Sequence, residues 1–279
     1  MTLSTPLRVA ERAKVSRGQR TAAPTLALLS LPLLLFLILP LVALVWRVQP
    51  VALAAHLVNP QVRQAIQLSL FTTALSTAVT LCCGTPLAYW LARRRFRGWG
   101  AIDTLLDLPM VLPPSVAGIA LLIAFGRRGL LGATLSTMGI NIAFTTTAVV
   151  LAQVFVASPF YVKAALSAFG GVDRDLEQAA ALDGATGWNI FRYVTIPLAW
   201  PVLFSGLVMT WARALGEFGA TIIFAGNFPG RTQTMPLAIY IGFELDLDVA
   251  LTLSVILLVL SFCVLLLVKV LLRQQVSTT

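Results

Sequence analysis

Six apolar stretches, separated by short polar segments, constrain this chain more than any other feature. The first, Leu26–Trp46, carries no charged residue and is long enough to cross about 30 Å of hydrocarbon as a helix. The others run over Ala65–Ala92, Thr104–Phe125, Thr145–Leu166, Leu198–Ala225 and Val249–Val268. In lipid each backbone N–H and C=O must be satisfied within the chain, which leaves helices as the economical way to cross. The expected fold is therefore all-α, with six membrane-spanning helices. With 58% hydrophobic and 11% charged residues, the composition excludes an ordinary soluble domain.

The net charge of +9 could suggest a nucleic-acid partner, but its distribution speaks for a membrane instead. With both termini on the cytoplasmic side, that side carries Arg8, Arg12, Lys14, Arg17, Arg20, Arg93, Arg94, Arg95, Arg97, Lys163, Arg174, Arg192, Lys269 and Arg273. The external side carries only Arg47, Arg63, Arg127, Arg128 and Arg231, in loops 47–64, 126–144 and 226–248. This bias predicts a multi-pass membrane protein, surrounded by membrane lipid and without a nucleic-acid partner. Residues 1–25 are expected to form a basic cytoplasmic tail, 26–272 the six-span domain, and 273–279 a cytoplasmic C-terminal tail. The apolar run after residue 25 is too long for the core of a cleaved signal.

Within the second span, Ser69, Thr72, Thr73, Ser76, Thr77 and Thr80 recur at helical steps and form one hydroxyl stripe. Such a stripe suits close helix packing, with a pore lining as the alternative. Asp107, Pro109, Pro113 and Pro114 require the third span to kink or break. Cys82, Cys83 and Cys263 lie inside apolar runs and read as small buried hydrophobes rather than a disulfide framework or metal site. His56 has no neighbour at ligand spacing and is assigned to a loop.

The most polar internal segment is Val172–Pro197, between the fourth and fifth spans. It reads as two short helices with a hinge. Asp173 or Asp175 can cap the first, Gly184 can stop it, and Thr186 can cap the second. Pro197 fits the first turn of the next span. Arg213 and Glu217 stand apart, being charges within the fifth span. At about 1.5 Å per residue Arg213 lies about 24 Å along the helix from Pro197, in the outer half of the membrane. Four-residue spacing brings the two together. They are candidates either for a structural ion pair or for an anion pathway, in which a guanidinium matches oxyanion geometry.

No lysine follows a glycine, so the chain has no phosphate-cradling P-loop, and neither a zinc-protease nor a nucleophile-elbow sequence occurs. An enzyme is not expected, and no cofactor or metal is assigned to this chain.

Val172–Pro197 resembles the coupling loop of ABC-importer permeases, whose pattern is Glu-Ala-Ala, three residues, Gly, nine residues, Ile, one residue, Leu-Pro. Anchored on Gly184, the first three positions are Gln178, Ala179 and Ala180, and the last are Val194, Ile196 and Pro197. Gln178 replaces the family's Glu, and Glu177 stands one place earlier. The run Trp211–Tyr240, with Leu-Gly-Glu-Phe-Gly-Ala-Thr and Ala-Gly-Asn-Phe-Pro-Gly, is similar to molybdate permease subunits, as are Leu112–Gly118 and Phe125–Gly132. The likeness covers roughly residues 60–270.

The resemblance implies a cytoplasmic coupling helix, with Glu177, Gln178, Ala179, Ala180, Gly184 and Pro197 as coupling residues. It further implies two ATPase subunits carrying ATP and Mg, a second copy of this chain, and an external oxyanion-binding protein. The expected function is an ATP-driven importer of a tetrahedral oxyanion, molybdate or tungstate. A sulfate or thiosulfate permease is the alternative within the family. A secondary anion transporter is the alternative outside it, though no inverted repeat supports that.

Overall fold

A computed structural model describes residues 28–48, 50–94 and 96–276. The basic tail 1–25, Arg95 and residues 277–279 lie outside the described residues. The described residues are mostly helical and contain no strand. Helix α1, Leu28–Arg47, forms a unit by itself, apolar over a length that crosses a membrane.

From Pro50 onward the helices pack as a second unit. They are α2 (Pro50–Leu57), α3 (Pro60–Arg93), α4 (Trp99–Val111), α5 (Pro114–Phe125), α6 (Gly132–Thr137), α7 (Thr146–Gly171), α8 (Arg174–Leu182) and α9 (Gly187–Ile190). A π-helical turn, Phe191–Thr195, joins α9 to α10 (Ile196–Leu215), and α11 (Gly219–Phe224), α12 (Met235–Leu245) and α13 (Leu247–Val276) complete the unit. Among the described residues, α1, α3, α7, α9–α10 and α13 are the five helices long and apolar enough to cross a membrane.

The third span is broken. Asn59 caps α3 at its start, and α3 runs 34 residues before α4 and α5 meet at a 114° bend. The break falls at Leu112 and Pro113, because Pro113 and Pro114 remove consecutive N–H donors. The two halves pack on different parts of α7. Lys163 of α7 bonds Asp103 of α4, whereas Ala117 and Leu121 of α5 pack with Ala148, Val149, Ala152 and Val156 near the start of α7. The bent pair thus contacts both ends of α7 and, counted as one span, brings the crossings among the described residues from five to six.

Helices α3, α7 and α10 form the centre. One core joins Ala88, Tyr161, Val162, Ala165, Phe169, Ala199 and Leu203. Small residues let the backbones approach: a Cβ on Gly206 would meet that of Ala164 at 2.5 Å. The hydroxyl stripe of α3 is buried, which decides for packing over a pore lining within this chain. Thr73 returns its hydroxyl to the Ser69 carbonyl at 2.7 Å, Gln153 of α7 donates to Thr72 at 3.2 Å, and Ser69 accepts from the Met235 N–H at the start of α12 at 2.7 Å.

Four expectations need correction. Cys82, Cys83 and Cys263 are exposed on the outside of the chain, where a small apolar thiol sits as readily beside lipid as in a core. His56 lies in the last turn of α2 rather than in a loop. Segments 47–64, 126–144 and 226–248 are not plain loops but contain α2, α6 and α12, the last packed on α3 and α13. The fifth span stops at Leu215 instead of continuing to Ala225, because Gly216 ends α10 and the chain turns into α11.

Candidate functional site: the loop between the fourth and fifth spans and the end of α10

The segment 172–197 folds as its residues dictate. The Asp173 carboxylate accepts from the Asp175 N–H at 3.0 Å and caps α8, while Asp175 and Glu177 occupy the first turn, where negative charge is favoured. Gly184 adopts φ +87°, open to glycine without steric cost. Its N–H bonds Ala181 at 3.1 Å and the Ala185 N–H bonds Ala180 at 3.0 Å, closing the helix with paired bonds that satisfy two otherwise orphaned carbonyls. Thr186 caps α9 through the Asn189 N–H at 3.4 Å.

Pro197 lies in the first turn of α10, as expected, but α10 does not begin there: the helix is continuous from Gly187 through the π turn. Proline in a continuing helix removes one N–H and its ring presses on the carbonyl four residues back. The widened turn Phe191–Thr195, with the Ile196 N–H reaching Phe191, opens the ladder where that strain would fall.

The candidate coupling residues divide between two sides of α8. Gln178 and Ala179 are exposed, as are Gly184 and Pro197. Leu182 is 90% exposed and Trp188 65%, an apolar surface unusual for a loop with no further role. Glu177 and Ala180, three residues apart, share the half-buried side. The Glu177 carboxylate pairs with the Arg93 guanidinium at the end of α3 and accepts from the Thr195 hydroxyl at 2.6 Å. Arg93 and Thr195 escaped the sequence reading. Arg93 was legible only as one of an arginine run, and Thr195 only as a hydroxyl two residues before a helical proline.

Arg213 and Glu217 do meet, Nη1 to Oε2 at 2.9 Å, but not along one helix. Arg213 sits in the last turn of α10, and Glu217 follows the Gly216 break. The second Glu217 oxygen accepts the Ala220 N–H at 2.8 Å, in the first turn of α11. Glu217 is 1% exposed and the Arg213 side chain 30%. The carboxylate therefore fastens the α10–α11 corner, while the guanidinium keeps an open side. A second ionic cluster joins α4 to α7: Lys163 bonds Asp103 at 2.5 Å and Asp107 at 2.9 Å. Its signal in the sequence was the four-residue spacing of the two aspartates, which puts both on one face of α4. Among the described residues no group of His, Cys, Asp and Glu could hold a metal ion.

Comparison with known proteins agrees with this architecture. The chain is 45% identical over 233 residues to the molybdenum transport system permease protein ModB of Mycobacterium tuberculosis, covering 84% of this chain and 88% of that one. It is 41% identical over 240 residues to the probable molybdenum ABC transporter permease protein HVO_B0370 of Haloferax volcanii, covering 86% of each. In fold it is similar to a bacterial ABC transporter involved in the import of the acidic polysaccharide alginate, with a TM-score of 0.72 at 17% identity over 94% of this chain and 99% of that one. The family model described as the binding-protein-dependent transport system inner membrane component matches residues 84–275, which contain the broken span, the loop with its half-buried Glu177, and the Arg213–Glu217 corner. The chain belongs to that family of inner-membrane permease components.

Proposed function

We propose that this chain is the permease subunit of an ATP-driven importer of molybdate or tungstate, with both termini and the 172–197 loop in the cytoplasm. The observation that carries the substrate is the 45% identity to a molybdenum transport permease over 84% of the chain. The charge bias of the loops supports the orientation. Two ATPase subunits hold ATP and Mg, since this chain has no P-loop of its own. They dock on the exposed face of α8 and α9, where Leu182 and Trp188 offer apolar anchors around Ala179 and Gln178. A second copy of this chain presents the second docking loop, the symmetric solution for two identical ATPases. An external binding protein captures the oxyanion and delivers it to the outer mouth.

A doubly charged anion cannot cross hydrocarbon unaided, and the pathway must stabilise it without holding it. Arg213, with its guanidinium only partly neutralised and still 30% exposed, is the candidate cation along that pathway. The test is reconstitution of the permease with its ATPase and binding protein in liposomes. Molybdate-loaded binding protein is expected to stimulate both ATP hydrolysis and uptake. Stimulation by sulfate-loaded protein alone would overturn the substrate, and uptake without the ATPase would overturn the energy source.

A further inference from the structure

We propose that Glu177 is an internal lever rather than a docking contact: it carries the movement of α8 into three spans at once. This rests on the functional reading above, in which ATPase subunits push on α8. Among the described residues, Glu177 is the one α8 side chain with a hydrogen bond or ion pair to a span. A single carboxylate oxygen, Oε1, serves both the Arg93 guanidinium and the Thr195 hydroxyl. Bonds to an ionised group are roughly twice as strong as neutral ones, so this joint is stiff for its size.

Each partner is anchored deeper. Thr195 is completely buried within the π turn at the head of α10. The guanidinium of Arg93 lies 5.6 Å from the centre of the Tyr89 ring. Tyr89 in turn meets Phe169 of α7 edge-on at 5.5 Å and Phe191 of the π turn at 4.8 Å. The route from α8 thus branches to α3 through Arg93, to α10 through Thr195, and to α7 through the Tyr89–Phe169 contact. These are the three helices that form the central core. π turns recur where a helix must yield a little, and this one contains Thr195, two residues before Pro197. The exposed side of α8, with Leu176 and Leu182, is left to the ATPase.

The test uses the whole transporter, with ATPase and binding protein, in liposomes, and reads molybdate imported per ATP hydrolysed. Glu177→Gln keeps size and removes charge; Thr195→Val keeps shape and removes the donor. Each is expected to lower the ratio about tenfold, in line with loss of one charge-assisted bond. The ATPase should still co-purify with both variants. The exchanged pair Arg93→Glu with Glu177→Arg restores the ion pair but neither the Thr195 bond nor the Tyr89 contact, so it is expected to regain only part of the ratio over Arg93→Glu alone. A wild-type ratio in both Glu177→Gln and Thr195→Val overturns the lever, as does loss of the ATPase from Glu177→Gln. If the wild-type transporter imports no oxyanion at all, the functional reading itself falls and the lever falls with it.

Discussion

Replacing Arg213 by alanine distinguishes the two roles open to the pair it forms with Glu217. The Glu217 carboxylate is 1% exposed and has two partners, Arg213 at 2.9 Å and the Ala220 N–H at 2.8 Å. Removing Arg213 leaves a buried charge with one neutral donor. Stranding one member of a buried pair costs about 3–5 kcal/mol, and the remaining N–H puts this case near about 3 kcal/mol. Glu217→Ala is cheaper. It loses the bond at the α11 corner, about 2 kcal/mol, while the part-exposed guanidinium can hydrate. The double mutant loses the corner bond but strands no charge, so it is expected to cost no more than Glu217→Ala alone. The pair should then show a coupling of about 3 kcal/mol in a double-mutant cycle. The assay is denaturant unfolding of the purified permease in micelles, followed by helical circular dichroism, with uptake in liposomes normalised to folded protein. Additive destabilisation would refute the structural reasoning. Recovery of uptake with recovery of stability in the double mutant would exclude an anion role for Arg213. Stable protein that still fails to transport would support it.

Three further outcomes follow from the geometry. Ala179→Asp, which puts a charge on the exposed face of α8, is expected to abolish co-purification of the ATPase while leaving the permease's own unfolding transition in place, as measured by pull-down and thermal melting. Gly206→Val forces bulk where a Cβ would already meet Ala164 at 2.5 Å, and should destabilise the α7–α10 contact by about 1–3 kcal/mol in the same unfolding assay. Native mass spectrometry of the solubilised transporter is expected to give two permease copies with two ATPases; a single permease copy would contradict the symmetric arrangement.

Much of this protein could be read from its residues because its physics is local. Leu28–Trp46 must be helical in lipid whatever surrounds it, and Pro113-Pro114 must interrupt a helix wherever it lies. Asp173, Gly184 and Thr186 act on their own neighbouring N–H and C=O groups, so their roles in capping and stopping α8 and α9 followed from spacing alone. Relations between distant segments were another matter. That the stripe on α3 is a packing face depends on α7 lying against it, that Glu177 turns inward depends on Arg93 standing 84 positions earlier, and that the cysteines face out depends on which side of a helix the neighbours occupy. The break at Gly216 shows the division within a few residues. Four-residue spacing allowed Arg213 to reach Glu217, but that the carboxylate is 1% exposed and accepts from the Ala220 N–H belongs to the α10–α11 corner, where α11 lies so close to α5 that a Cβ on Gly118 would meet the Ala220 carbonyl at 2.9 Å. Sequence spacing specifies which groups can meet along a helix, whereas burial, and with it the free energy of a charge, is set by the helices that close around it.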